Sequence, residues 1–183
     1  MDSMKIIEKY YDKDSLVYNA LITHSKAVAK KAIEVAKRVP ELNPDIKFIE
    51  EASMLHDIGI YLTKATNFGC FGEKNYIEHG IIGRQILEQE GLPRHALVCE
   101  RHIGTGLSAQ NIKEQKLPLP SRDMIPETID EEIVSFADLF FSKRDINNLE
   151  REKSVEEIRK ELGKYSVDKV KRFNDWLIKF KEK

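Results

Sequence analysis

The chain has 183 residues, of which 41% are apolar and 33% charged, which suits one domain with a real core. Lys+Arg 30 against Asp+Glu 31 leaves a net charge of -1, so no broad basic field marks a nucleic-acid duplex or an anionic membrane as partner. The polar first fifteen residues and the lack of any window near the ~20 apolar residues of a membrane span predict a soluble, cytoplasmic protein without a membrane partner.

Helical periodicity recurs along the chain and strand signals are weak, so the reading is all-α, a single bundle of six to seven helices over 1–183. A first helix is expected over about 15–39, with Leu21, Val28, Ala32, Val35 and Val39 on one stripe and Pro40 at its end. Asn43-Pro44 reads as an N-cap and first helical residue of a second, ending near Gly59. A third fits 76–90, closed by Gly91, and a fourth 92–103, opened by Leu92-Pro93. Pro126 is taken as the start of a fifth, reaching Phe141. Ser154 with Glu157 forms a capping box for a sixth. Ser166 caps a last helix whose stripe of Phe173, Trp176, Leu177 and Phe180 docks it on the bundle, with a homodimer contact as the lesser reading. The stretches 59–75 and 104–125 carry glycines and prolines and are left as loops, the second a candidate lid. Cys70 and Cys99 are too few for a disulfide framework or a Cys-rich zinc site and read as packing residues.

Six titratable residues fall on the apolar faces of these helices: His24, His56, Asp57, His79, His102 and Asp138. Any one imidazole could be a hydrogen-bonded core residue. All six together are costly to bury, several kcal/mol for each uncompensated group. A metal centre removes that cost, and this mixed imidazole and carboxylate set is large enough for two ions.

The order H…HD…H…H…D, centred on Leu55-His56-Asp57-Ile58-Gly59, resembles the HD-domain metal-dependent phosphohydrolases of the HDIG type, over about 18–142. Glu78-His79-Gly80, Arg101-His102 and Phe136-Ala137-Asp138 complete the likeness. The resemblance implies a helical bundle around a central metal site, and helices 154–183, outside its span, are expected to pack on that core through their apolar stripe. It matches His24, His56, Asp57 and Asp138 to the ligands of mononuclear members, and His79 and His102 to the added pair of dinuclear ones, with Asp57 bridging. The tripeptide Gly-Tyr-Pro of cyclic-dinucleotide phosphodiesterases is absent, and Ile77-Glu78-His79-Gly80 and Cys99-Glu100-Arg101-His102 are closest to bacterial symmetrical diadenosine tetraphosphate hydrolases.

The ligand set then implies two cations bridged by Asp57, activating a shared water for attack on phosphorus in a small nucleotide-like phosphate ester or anhydride. Iron is preferred and manganese second, because zinc favours four tetrahedral ligands; no organic cofactor is expected. Asp57 and Lys64 are the catalytic candidates, and Lys64, Arg101 and Arg122 the substrate-binding ones, each weighed against an ordinary solvated or ion-paired role. Lys113 and Lys116 share the second loop with Arg122, and His95 reads as supporting or surface rather than ligating. Competing readings are a mixed-valence di-iron oxygenase on the same ligands, a mononuclear nucleotidase, and a non-catalytic module that keeps metal for stability.

Overall fold

The computed structural model describes residues 1–143 and 146–182 and is predominantly helical. Nine α-helices are present among the described residues: α1 Ser3–Tyr10, α2 Leu16–Arg38, α3 Ile46–Leu55, α4 His79–Gln89, α5 Pro93–Arg101, α6 Ala109–Glu114, α7 Ile129–Asp138, α8 Val155–Gly163 and α9 Val167–Lys179. The seven expected helices are all there, with shifted ends, and α1 and α6 are additional. Two-residue strands β1 Lys64–Ala65 and β2 Cys70–Phe71 pair antiparallel inside the first expected loop.

The shifts have local causes. Ser15 caps α2 by accepting from the Tyr18 N–H at 3.2 Å, so the helix starts one residue inside the expected 15–39 span. The second helix starts later, because the carboxylate of Asp45 accepts from the Phe48 N–H at 3.0 Å while Asn43 turns left-handed at φ 53°. Residues Tyr76–Glu78 form one 3₁₀ turn, closed by an Asn75–Glu78 capping box, before α4 begins. Thr128, two residues past Pro126, caps α7, whose first turn carries Asp130, Glu131 and Glu132 toward the positive end of the helix dipole. The Ser154–Glu157 box and the Ser166 cap fall where expected.

The 104–125 stretch is a folded excursion rather than an open lid. Ser108 caps α6, Leu107 and Met124 exchange backbone bonds of 2.8 Å, and Leu107, Ile112 and Met124 build a small core against Ile77, Ile81 and Ile103. Two cations of α9 tie it down: Lys169 donates to the Gly106 carbonyl and Arg172 to that of Thr105, both at 2.6 Å.

Two apolar clusters fill the interior. One joins the C-terminal half of α2 to α3, α7, α8 and α9, where Phe136 meets Phe173 and Phe180 at ring separations of 5.8 and 5.0 Å. The docking role of the Phe173, Trp176, Leu177, Phe180 stripe is thus met inside the chain. The other joins α1 and the N-terminal half of α2 to α4 and α5. His24 lies between Leu21 of the second cluster and Val28 of the first, so α2 carries it across the seam.

Close backbone approach sets the α4–α5 side of that seam. A Cβ on Gly80 would lie 2.6 Å from the Cys99 carbonyl oxygen, so only glycine lets α4 press this tightly on α5. The N-terminal helix braces the opposite side: Tyr11, buried beside Ile6 and Ile7, donates its hydroxyl to the Ile58 carbonyl at 2.7 Å, one residue beyond Asp57. Tyr11→Phe leaves that buried oxygen without its donor and should cost about 1–3 kcal/mol in urea unfolding. An unchanged midpoint would show that the bond contributes nothing.

Candidate metal centre

Five segments bring the six residues to one point. His24 comes from the middle of α2, His56 and Asp57 from the turn that ends α3, His79 from the first residue of α4, His102 from just past α5, and Asp138 from the end of α7. His24, His56 and Asp57 are fully buried, His102 is 1% exposed and His79 4%. Asp138 is the most open, at 14% of its side chain.

The carboxylate of Asp57 divides its oxygens between two sets. Its Oδ2 lies 3.4 Å from His24 Nε2 and 3.2 Å from His56 Nε2, and the Oδ1 of Asp138 closes that set at 2.9 Å from His24 and 3.4 Å from His56. Its Oδ1 faces His79 Nε2 at 3.3 Å and His102 Nε2 at 3.5 Å. His24, His56, Asp57 and Asp138 form one group with metal-ligating spacing, and Asp57, His79 and His102 form a second.

Three of the four imidazoles are oriented the same way. Nδ1 of His56, His79 and His102 contacts the carbonyl three residues earlier, Ser53 at 2.7 Å, Tyr76 at 2.6 Å and Cys99 at 2.8 Å. A carbonyl can only accept, so each Nδ1 carries a proton and each Nε2 is aimed inward, where it offers a lone pair to a cation once the ring is neutral.

On the second set this produces a conflict that a cation resolves. Nε2 of His79 and Nε2 of His102 are 3.2 Å apart, and the Asp57 oxygen faces both, so three acceptors converge with no hydrogen among them. Asp57 Oδ1, His56 Nε2 and His24 Nδ1 are buried without a hydrogen-bond partner, and Asp57 Oδ2 is held by an ammonium at 2.6 Å. The residues therefore fit divalent ions, with nitrogen and oxygen donors suited to iron, manganese or zinc.

Charge follows the same pattern. Burial pushes His24 down to about 4, helped by a nearby ammonium and opposed by Asp138 and Asp57. For His56 burial acts downward too, but the carboxylates of Asp57 and Asp138 outweigh it and raise the group to about 9. Burial lowers His102, against the opposing pull of Asp57. Burial would raise Asp57 and Asp138, yet the same ammonium and the His56 ring hold both well below the usual carboxylate range.

That ammonium belongs to Lys143, which the sequence reading passed over. Its Nζ lies 2.6 Å from Asp57 Oδ2, 3.0 Å from His24 Nε2 and 3.4 Å from Asp138 Oδ1. The one signal in the sequence was position, five residues past Asp138 in a polar connection, where a lysine reads as solvated. Tyr76 was also missed: its ring is 4.8 Å from that of His79, and its buried hydroxyl has no hydrogen-bond partner.

Among the described residues, no hydrogen bond or ion pair joins Lys64, Arg101 or Arg122 to the six. Lys64 is exposed on β1, because the hairpin turns it outward. Arg101 points round the helix from His102 and pairs with Glu127 and Glu131, each at 3.0 Å. Arg122 pairs with buried Glu100, which Arg84 also holds at 2.5 Å, and so straps the excursion to α5. His95 is buried against Phe48 with Nε2 3.5 Å from Glu51, away from the cluster. Cys70 and Cys99 are free and buried, as packing residues should be.

Residues 21–141 match the family described as HD domain. This chain belongs to the HD domain family. It is 32% identical over 162 residues to an uncharacterized protein of Methanocaldococcus jannaschii, covering 85% of this chain and 86% of that one. It is 34% identical over 151 residues to a tRNA (cytidine(56)-2'-O)-methyltransferase of Picrophilus torridus and 35% over 123 residues to that of Thermoplasma volcanium. Those matches cover 82% and 67% of this chain but 38% and 32% of the methyltransferases, so the chain corresponds to a minor part of each. Among solved structures, the HD domain of the L. monocytogenes phosphodiesterase PgpH superposes with a TM-score of 0.52 at 16% identity, covering 97% of this chain and 95% of that one, a likeness of fold. No helix among the described residues is long and apolar enough to cross a membrane.

Proposed function

We propose that this HD domain is a metal-dependent phosphohydrolase that cleaves a phosphoester or phosphoanhydride bond of a small nucleotide-like substrate. The observation that carries the reading is the division of Asp57, with one oxygen toward His24, His56 and Asp138 and the other toward His79 and His102. That arrangement suits two ions sharing one carboxylate, with iron as first choice and manganese as second. When bound, such a pair supplies Lewis acidity, activating water and neutralising charge at phosphorus.

The chain's own residues do the rest. The carbonyls of Ser53, Tyr76 and Cys99 lock the imidazoles in place, so the ligands need little rearrangement. Asp138, the most open ligand, marks the side from which a phosphate enters. An apolar cavity of about 330 Å³ is lined by Ile77, Ile103 and Leu139, neighbours in sequence of His79, His102 and Asp138, although none of the six lines it, and it is the pocket this reading assigns to the substrate's apolar part. The phrases around His79 and His102 favour the diadenosine tetraphosphate hydrolase branch as the model for the leaving group. Methyl transfer is not carried over, because the likeness to the methyltransferases spans only a minor part of them.

The test is metal analysis of chain purified without chelator, followed by phosphate release from mono-, di- and dinucleotide substrates. Two ions with release supports the proposal; oxygen consumption without release points to di-iron oxygenase chemistry, and inertness with metal retained to a structural role. His79→Ala and His102→Ala should each lower metal content toward one ion per chain and cut turnover beyond the ~100-fold seen when only a ligand's support is lost. Full metal and normal turnover in both would leave a mononuclear nucleotidase as the better reading.

A further inference from the structure

Lys143 lies past the end of α7, and its Nζ enters the first ligand set rather than the second. Its three close neighbours, Asp57 Oδ2, His24 Nε2 and Asp138 Oδ1, at 2.6, 3.0 and 3.4 Å, are three of the donors that would hold an ion there. An ammonium surrounded at such distances fills the space between those donors. A divalent ion bound to them at about 2.0–2.2 Å would need the same space. Two like charges that close, in a water-poor pocket, cannot share it.

The direction of retreat is also visible. The Lys143 side chain is 15% exposed and that of Asp138 14%, whereas His24, His56 and Asp57 are fully enclosed. The lysine therefore reaches in from the solvent side, on a flexible four-carbon stem that allows withdrawal without movement of α7.

We propose that Lys143 is a tethered counter-cation of the first metal position: it neutralises Asp57 and Asp138 in the metal-free protein and must withdraw for an ion to load. This rests on the metal-centre reading above. Two consequences follow. The metal-free fold keeps an ammonium between two enclosed carboxylates, in addition to the His56 ring beside them, and loading is restricted to ions that bind strongly enough to displace that ammonium.

The experiment is calorimetric titration of Mn²⁺ into the full chain, stripped with chelator and dialysed, for wild type, Lys143→Met and Lys143→Arg. Met keeps the stem and removes the charge. With Lys143→Met the tighter Mn²⁺ site should gain about tenfold or more in affinity. The metal-free melting temperature should fall while the Mn²⁺-saturated one stays near wild type, so the shift on loading grows. Lys143→Arg should remain close to wild type in affinity, and it serves with Lys143→Gln if the Met variant does not fold. Equal or weaker Mn²⁺ binding by a folded, uncharged variant overturns the proposal while leaving the metal centre intact. Absence of Mn²⁺ binding in wild type and uncharged variants alike overturns both, whereas binding by the uncharged variant alone supports the lysine's role most directly.

Discussion

Asp57→Asn should remove bound metal from both positions and reduce phosphate release further than any other single ligand substitution. The reason is geometric. Every other ligand belongs to one set, whereas the oxygens of Asp57 face both, at 3.2–3.4 Å on one side and 3.3–3.5 Å on the other. An asparagine of the same size offers one neutral oxygen and one amide nitrogen that cannot ligate, so one position loses its carboxylate outright and the other loses its charge. Loss of a hydrogen bond behind a ligand already costs ~10–100-fold in affinity or activity, and loss of the shared ligand should exceed that. The fold should persist, since the side chain keeps its volume and Asp138 remains to pair with Lys143. Metal analysis, phosphate release and a circular dichroism spectrum on the same preparation check this. A folded Asn variant with two ions per chain would mean that Asp57 does not bridge.

The contrast between residues read from the sequence and those missed follows from what each depends on. The six candidate ligands were legible because each lies on a periodic helix or within two residues of its end, and a polar residue that continues an apolar stripe has one direction to point. Their convergence needed only that the stripes face a common core. Lys143 was not legible, since it sits beyond α7 in a connection with no period, and nothing local directs its side chain inward. Arg101 and Arg122 were candidates for phosphate by type and neighbourhood, weighed against an ion-paired or solvated role. The ion pairs they make depend on the placement of Glu131, Glu127 and buried Glu100, contributed by α7, the segment before it and α5, which the sequence alone does not give. Helix α1 escaped because Ile6 and Ile7 are its main buried apolar contacts in eight residues, too sparse a signal until a partner such as Ile58 is in view. The 104–125 excursion was read as loop because a six-residue helix and one isolated bridge have little pattern of their own; Lys169 and Arg172 hold it from over sixty residues away.

Gly59, last of the Leu55-His56-Asp57-Ile58-Gly59 motif, supplies a second large effect through packing rather than chemistry. Its φ of -82° is open to any residue, so backbone conformation does not require glycine. Space does: a Cβ there would lie 2.3 Å from the His79 carbonyl oxygen and 2.5 Å from the Gly83 nitrogen, both backbone atoms of α4. Because neither is the end of a flexible side chain, Gly59→Ala must drive the start of α4 away from the turn that carries Asp57. His79 is the first residue of that helix, so its Nε2 moves relative to the Asp57 oxygen it now faces at 3.3 Å. Overpacking of this kind costs about 1–3 kcal/mol. A displacement of ~1 Å at a reacting centre costs on the order of 100-fold in rate. The variant should therefore unfold earlier in urea, bind one ion per chain on the His24, His56, Asp57, Asp138 set, and turn over about 100-fold more slowly. Gly91→Ala separates this from general destabilisation: its φ of 74° makes alanine strained, but nothing lies within 4 Å of the added Cβ, so stability should fall while both ions stay. If Gly59→Ala kept two ions and normal turnover, close packing at Gly59 would not be what positions His79.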